Sequence, residues 1–206
     1  MKLYYFPFSP NSTQCLAVAY HLGLDLDLQV VDLRAGEQRQ PWFVAINPNH
    51  FLPTLVDGDF TLWESNAILQ YLARGSELWP ADERTRIDID RWLFWKVAQW
   101  YPCIHVLQVE HMLKGGQPPD AETVKQAEVD FRQWAGVLEG HLKERRFLVG
   151  DALTLADLSV AAPLAIAEPA RLPWGEFPAL RAWYHRVADL PAWQKSLPEA
   201  WRTVKA

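Results

Sequence analysis

Apolar and polar positions follow two different rhythms along this chain. In the first 75 residues the runs are short and the period changes. Leu3 to Phe6 read as a short buried strand, and residues 14–24 (QCLAVAYHLGL) carry apolar side chains at helical spacing up to a stop at Gly23. Residues 26–33 (LDLQVVDL) alternate and predict a second strand. Residues 35–51 are polar and irregular, with one turn of helix expected from Trp42 to Ala45. The runs LPTLVD and GDFTLW predict two strands turning at Asp57 and Gly58, and residues 64–75 (ESNAILQYLARG) predict a helix with a polar start and a glycine end. The order is β-α-β-α-β-β-α.

Beyond residue 76 the strand signals stop. A long helical run is expected from Thr85 to Leu113. Pro102 lies inside it and should kink it, because proline removes one backbone donor and clashes with the preceding turn. Residues 115–120 (GGQPPD) break the pattern. Val124, Ala127, Phe131, Trp134, Leu138 and Leu142 then fall at three- and four-residue steps on one amphipathic helix. Residues 153–168 (LTLADLSVAAPLAIAE) predict an apolar helix at the centre of a bundle, with Thr154 and Asp157 at capping-box spacing. Leu180, Trp183 and Val187 mark a last helix, ended by Pro191. The fold class expected is an α/β, thioredoxin-like domain followed by an all-α helical-bundle domain. The boundaries are residues 1–75, a connector over 76–86, and a helical domain over 87–206.

Composition narrows the function. The chain has 206 residues, half of them apolar, which suffices for a real core. Its net charge of −5 and pI near 5.7 argue against nucleic-acid partners and anionic membrane surfaces, both of which call for a basic face. No run approaches the roughly 18 apolar residues of a membrane span, and the proline-interrupted N-terminus does not read as a signal peptide, so a cytoplasmic protein is expected. Cys15 and Cys103 form no CxxC pair, and His105 and His111 stand six apart, so no metal site is expected. Cys15 reads as buried and inert. Glu139 and Lys143 read as a four-residue ion pair on a solvated helix face. Eleven tryptophans are unusual, and they fill cores, line apolar clefts or build interfaces.

Candidate chemistry starts at residues 9–13 (SPNST), where small polar groups precede the first long apolar run. Read alone, the stretch is a helix cap at Asn11 or Ser12, or a place where hydroxyl and amide groups face a ligand. Four pieces decide the weight: residues 3–24, residues 46–73 (INPNHFLPTLVDGDFTLWESNAILQYLA), residues 147–161 (FLVGDALTLADLSVA), and the α/β-then-all-α order. Together they resemble the cytosolic glutathione transferase superfamily over essentially the whole chain. The serine loop is similar to that of bacterial members that act on disulfides or bind two glutathiones.

The resemblance implies a site. Glutathione must lose its thiol proton to become a nucleophile, and an ordinary thiol pKa of about 8.5 leaves most of it protonated at neutral pH. Ser9 is implied as the hydroxyl that stabilises the thiolate, with Asn11 as a second donor and Ser12 as the competitor; Tyr4 and Tyr5 lie inside the strand and are not favoured. Leu52, before a cis Pro53, is implied to pair its backbone with the cysteinyl part. Glu64 is implied to face the γ-glutamyl ammonium, and Ser65 at a helix start its carboxylate. Gln38 and Arg39 are implied at the glycyl end, with His50 nearby. Phe51 stands where the family often has Lys or Gln, which weakens that end of the site. Phe8, Trp100, Cys103 and Leu107 are the candidates for a second-substrate pocket. Thr154 and Asp157 are implied to be structural. The implied activity is transfer of glutathione to a hydrophobic electrophile by a homodimer, with no metal cofactor. The alternatives are a glutathione-dependent disulfide or peroxide reductase, and a non-catalytic binding protein on the same scaffold.

Overall fold

The computed structural model describes residues 1–202. It divides into two compact units, Met1–Trp79 joined by the stretch from Asp189 onward, and Pro80–Ala188.

The first unit is built on β1 (Lys2–Tyr5), α1 (Pro10–His21), β2 (Asp27–Val30), a 3-10 turn at Glu37–Arg39, α2 (Pro41–Val44), β3 (Thr54–Asp57), β4 (Phe60–Leu62) and α3 (Ser65–Leu72). The strands form one sheet in the order β2-β1-β3-β4. β1 runs parallel to β2 and antiparallel to β3, which runs antiparallel to β4. The strand expected from Leu3 to Phe6 is shifted by one residue, and only Leu3 of it is fully buried. β2 is shorter than its alternating pattern suggests. It is an edge strand, so Asp27, Gln29 and Val30 stay exposed and only Leu28 is half-covered. The hairpin turns at Gly58 and Asp59, one residue later than expected, with Asp57 paired to Phe60 and Gly58 at φ +62°.

Register fixes what this sheet can do. Tyr4 lies opposite Thr54, Tyr5 opposite Val30, and Leu55 opposite Leu62. The end of β1, the end of β2, the start of β3 and the end of β4 therefore meet at one edge. The loops 6–9, 31–39 and 50–53, and the entry to α3, all leave the sheet there.

The second unit begins with α4 (Glu83–Trp95), capped by Asp82, whose carboxylate accepts from Thr85 N–H at 2.8 Å. The helical run continues through a π-helical turn at Lys96–Trp100, α5 (Tyr101–Gln108) and a second π-helical turn at Val109–Leu113. A five-residue turn directly before Pro102, in place of a simple break, relaxes the backbone around the residue that cannot donate. α6 (Ala121–Leu142) buries Ala127, Phe131, Ala135, Leu138 and Leu142; of the stripe read from the sequence, Val124 and Trp134 are only partly covered, and Ala135 is added. The tryptophans make the interior. Trp95 stacks on Trp100 at 5.9 Å, Trp100 packs on Phe131 at 5.0 Å, and Trp92 lies against His141 at 4.8 Å.

The apolar run after Leu153 is one short helix followed by a tighter one. α7 (Leu155–Ala161) is buried on every side and passes into a 3-10 turn at Ala162–Ile166, where Pro163 cannot donate to a continuing α-helix. Thr154 and Asp157 form the expected capping box. α8 (Pro178–Ala188) ends before Pro191. Pro191 is a start rather than a stop: it opens α9 (Pro191–Ser196), which packs on α1, and a 3-10 turn follows at Glu199–Trp201. The expected helical domain over 87–206 is corrected accordingly, because the stretch from Asp189 belongs to the α/β unit; residues 203–206 lie outside the described residues. Glu139 is a second correction. Its carboxylate accepts from Leu180 N–H at 3.0 Å, so it satisfies an orphan donor in the first turn of α8. No described helix is long and apolar enough to cross a membrane.

Candidate active site

Ser9 is the N-cap of α1. Its backbone is extended, φ −100° and ψ 119°, and its carbonyl accepts from Ser12 N–H, Thr13 N–H and the Thr13 hydroxyl at 2.9–3.1 Å. Its hydroxyl accepts a long 3.4 Å bond from Ser12 N–H. That contact occupies a lone pair and leaves the Ser9 hydroxyl hydrogen free to point at a ligand. The first turn of α1 carries no acidic side chain, so the partial positive charge at its start is unopposed within the helix.

Ser12 behaves differently. It is fully buried, and its hydroxyl oxygen accepts from Phe6 N–H at 3.2 Å. It ties the strand exit to the helix and presents nothing to the surface. Asn11 is half-buried and accepts a 3.5 Å bond from Gln14 Nε2. Tyr4 packs against the rings of Trp42 and Phe43, as a sheet residue does.

The Leu52–Pro53 peptide is cis. Leu52 precedes the β3 ladder, which begins at Thr54. The loop before it is organised by Asn47, a buried residue to which the sequence reading gave no role. Its Nδ2 donates to Phe51 carbonyl and Thr54 hydroxyl, both at 2.9 Å, and its Oδ1 accepts from Asn49 N–H at 3.0 Å. The Asn-Pro pair at 47–48 is the signal that could have found it, since asparagine side chains bond neighbouring backbone in turns. Phe51 gives this network its carbonyl while its ring is 73% exposed. His50 sits at φ +59°, and its Nδ1 lies 3.1 Å from Gln38 carbonyl. A carbonyl only accepts, so Nδ1 carries the proton. Gln38 and His50 are thus brought together across 12 residues of sequence, with Arg39 next to Gln38 in the chain. Gln38 Oε1 is buried and has no hydrogen-bond partner within the protein.

At the other end Glu64 precedes α3 with φ +72° and ψ 109°, and its side chain makes no capping bond. A non-glycine residue at positive φ costs free energy and concentrates at functional sites. Here the backbone turn leaves the carboxylate exposed beside Ser65, the first residue of α3. Ser65 carbonyl accepts from the buried Cys15 thiol at 3.7 Å, which links the middle of α1 to the start of α3.

Three expected pocket residues are elsewhere. Trp100 and Leu107 are fully buried and Cys103 is 5% exposed. Trp100 Nε1 donates to Val160 carbonyl at 3.1 Å, and the Cys103 thiol donates to Trp100 carbonyl at 3.2 Å. Burial pushes the Cys103 thiol up to about 12, so it is no nucleophile. This stripe is helical core, because a face that packs against α6 and α7 has no surface to offer. Only Phe8 of the four is exposed.

Comparison with known proteins follows the same division. Residues 1–74 match the glutathione S-transferase N-terminal domain, and residues 103–191 match the glutathione S-transferase C-terminal domain. Glutathione S-transferase 3 of Zea mays is 34% identical over 96% of this chain and 93% of its own length. The crystal structure of glutathione transferase F7 from Populus trichocarpa superposes with a TM-score of 0.87 at 28% identity, covering 95% of this chain and 96% of the other. A glutathione S-transferase-I structure bound with lactoylglutathione superposes at 0.85 and 25% identity, covering 95% of this chain and 97% of the other. The chain belongs to the glutathione S-transferase family.

Proposed function

We propose that this protein transfers glutathione to a hydrophobic electrophile, and that the edge of the sheet where its four loops meet holds the peptide. One observation carries the reading: the register brings Ser9, the Gln38–Arg39 turn, Leu52 and Glu64–Ser65 to one end of the same sheet. Each offers what one part of glutathione needs. Ser9 hydroxyl donates to the sulfur, and the start of α1 favours its negative charge. Leu52 offers main chain to the cysteinyl residue, and Pro53 fixes its direction. Glu64 carboxylate faces the γ-glutamyl ammonium, while Ser65 and the first turn of α3 face the adjacent carboxylate. Arg39 supplies a positive donor group toward the glycyl carboxylate, His50 steadies the Gln38 backbone through its Nδ1–H, and Gln38 Oε1 accepts from a peptide N–H. The bound lactoylglutathione in a related structure supports a glutathione-type ligand here.

The chemistry follows from the thiol. A donor and a helix start lower its pKa from about 8.5 and raise the thiolate fraction at neutral pH. The thiolate sulfur then attacks an electrophilic carbon; the new S–C bond forms as the leaving group departs with its bonding electrons. Asn11 assists as a second donor near Ser9. Phe8 offers the aromatic wall for the electrophile. We infer a homodimer acting in the cytoplasm, in keeping with the family. Exposed Ile87 and Phe94, seven residues apart on α4, give a partner an apolar face.

Titration of glutathione and of its disulfide, followed by tryptophan fluorescence and calorimetry, tests the reading. Binding of the thiol form with saturable turnover of an activated aryl halide is the expected result. Preference for the disulfide moves the assignment to reduction. No binding of either by a folded protein ends the assignment.

A further inference from the structure

The chain end returns to the loop that carries Ser9. α9 packs on α1, with Trp193 fully buried and Leu197 nearly so. From that anchor the 3-10 turn at Glu199–Trp201 is closed by Trp201 N–H on Pro198 carbonyl at 2.8 Å, and Arg202 Nε donates to Leu197 carbonyl at 3.1 Å. The Trp201 ring meets Phe8 edge-on, centroids 5.4 Å apart. Phe8 also packs on Phe6 at 5.8 Å, and the Arg34 guanidinium lies 5.8 Å from the Phe8 ring centre. The ring immediately before Ser9 is therefore held by segments 26 and 193 residues away in sequence, yet it remains 37% exposed.

Hydrogen bonds fix the two ends of this loop but not its middle. Ser9 N–H bonds Phe6 carbonyl at 3.1 Å, Phe6 N–H bonds Ser12 hydroxyl at 3.2 Å, and Ser9 carbonyl accepts from Ser12 and Thr13. Pro7 and Phe8 make no hydrogen bond among the described residues, and Phe8 is held by its ring contacts. The Ser9 hydroxyl adds only its long bond to Ser12 N–H. A side chain that rotates easily about χ1 donates well to a sulfur only if its backbone is held still. We propose that Trp201 is a positioning residue for the Ser9 hydroxyl, acting through Phe8. The inference rests on the reading that Ser9 meets the glutathione sulfur. It also gives the tail a reason to belong to the α/β unit.

The test uses full-length protein with Trp201→Ala and Trp201→Phe, each alone and combined with Ser9→Ala. Two quantities are read against pH: the ultraviolet absorbance of bound glutathione thiolate, and kcat/KM with an activated aryl halide. Trp201→Ala should move the bound thiol toward its ordinary pKa of about 8.5. It should lower kcat/KM about tenfold below that pH, as a displaced catalytic group does. Glutathione affinity should change less than about threefold, because the peptide-holding loops are untouched. Trp201→Phe, which keeps an aromatic ring on Phe8, should recover most of the loss. In the Ser9→Ala background Trp201→Ala should have no further effect, since groups acting as a unit are not additive. An unmoved thiol pKa in Trp201→Ala overturns the inference, as does an undiminished effect in the Ser9→Ala background. Failure of the unsubstituted protein to bind glutathione overturns the underlying reading instead, so the two failures are told apart.

Discussion

Two helix starts in this molecule look alike in sequence and share an extended N-cap, yet differ in burial and in the saturation of their polar groups. At α1 the start is Ser9, Pro10, Asn11, Ser12; at α7 it is Thr154, Leu155, Ala156, Asp157. Both place small polar side chains before an apolar helix. At α7 the polar groups are saturated. Asp157 accepts from Leu148 N–H at 2.9 Å, Thr154 N–H at 3.0 Å, Thr154 hydroxyl at 3.2 Å and Trp183 Nε1 at 2.9 Å, and no part of it reaches solvent. At α1 Ser9 is half-buried and its hydroxyl has one long contact. The start of α7 holds its own protein together, and the start of α1 keeps bonding capacity for something else. Residue type does not separate structural from functional caps; the number of partners and the access of solvent do.

The largest effect that would sharpen this contrast is on stability. Asp157→Ala strips the acceptor from four donors on three residues in the interior, so we expect a loss of roughly 3–5 kcal/mol in urea unfolding. A loss below about 1 kcal/mol would mean that the network is not a keystone of the helical unit. Ser9→Ala should reverse the pattern. Its long cap bond is worth about 1 kcal/mol or less, so the fold persists, while kcat/KM with glutathione falls about a hundredfold for loss of one charge-stabilising donor. Unchanged turnover in Ser9→Ala would remove Ser9 from the chemistry.

The smallest effect is in the pH dependence of stability. Burial pushes the Asp157 carboxyl above its usual range, and its four donors only partly pull it back. Folded chains then hold that proton at pH values where unfolded chains have lost it. Between the ordinary value of 3.8 and the raised one, this group's contribution to stability falls as pH rises. Asp120 at the start of α6 has the opposite sign. Bonds from Thr123 hold its carboxyl below the usual range, so its contribution is present above the ordinary value and is lost as pH falls through the lowered one. Unfolding measured across acid pH should show Asp120→Asn flattening the acid-side decline. Asp157→Asn, where the variant folds, should remove the decline on the rising side. The same slope in both variants would refute the contrast.

Much of this protein was legible before any coordinates. Period-two runs and 3.6-period stripes located the strands and most helices, because burial on one face imprints those periods on any chain. The capping box at Thr154 was readable because its two residues bond across three positions. The loop at Ser9 was readable as chemistry only through the resemblance of the whole chain, since the stretch alone equally describes a cap. Sequence spacing misassigned Trp100, Cys103 and Leu107, because a helical stripe has the same spacing whether it faces a pocket or a neighbouring helix. It also missed Asn47, whose partners Phe51 and Thr54 are close only after the loop folds.

What the sequence determined by itself was local: element type, caps, turns, and the change from α/β to all-α. Which hydroxyl stays free, which apolar stripe is core, and where the chain end goes were decided only by tertiary structure. Ser12 is spent on Phe6, Trp100 is spent on Val160 and Phe131, and Trp201 returns to Phe8 across 193 residues. Local bonding is fixed by near neighbours in the chain. Burial and the saturation of polar groups depend on partners that only a completed fold brings into reach.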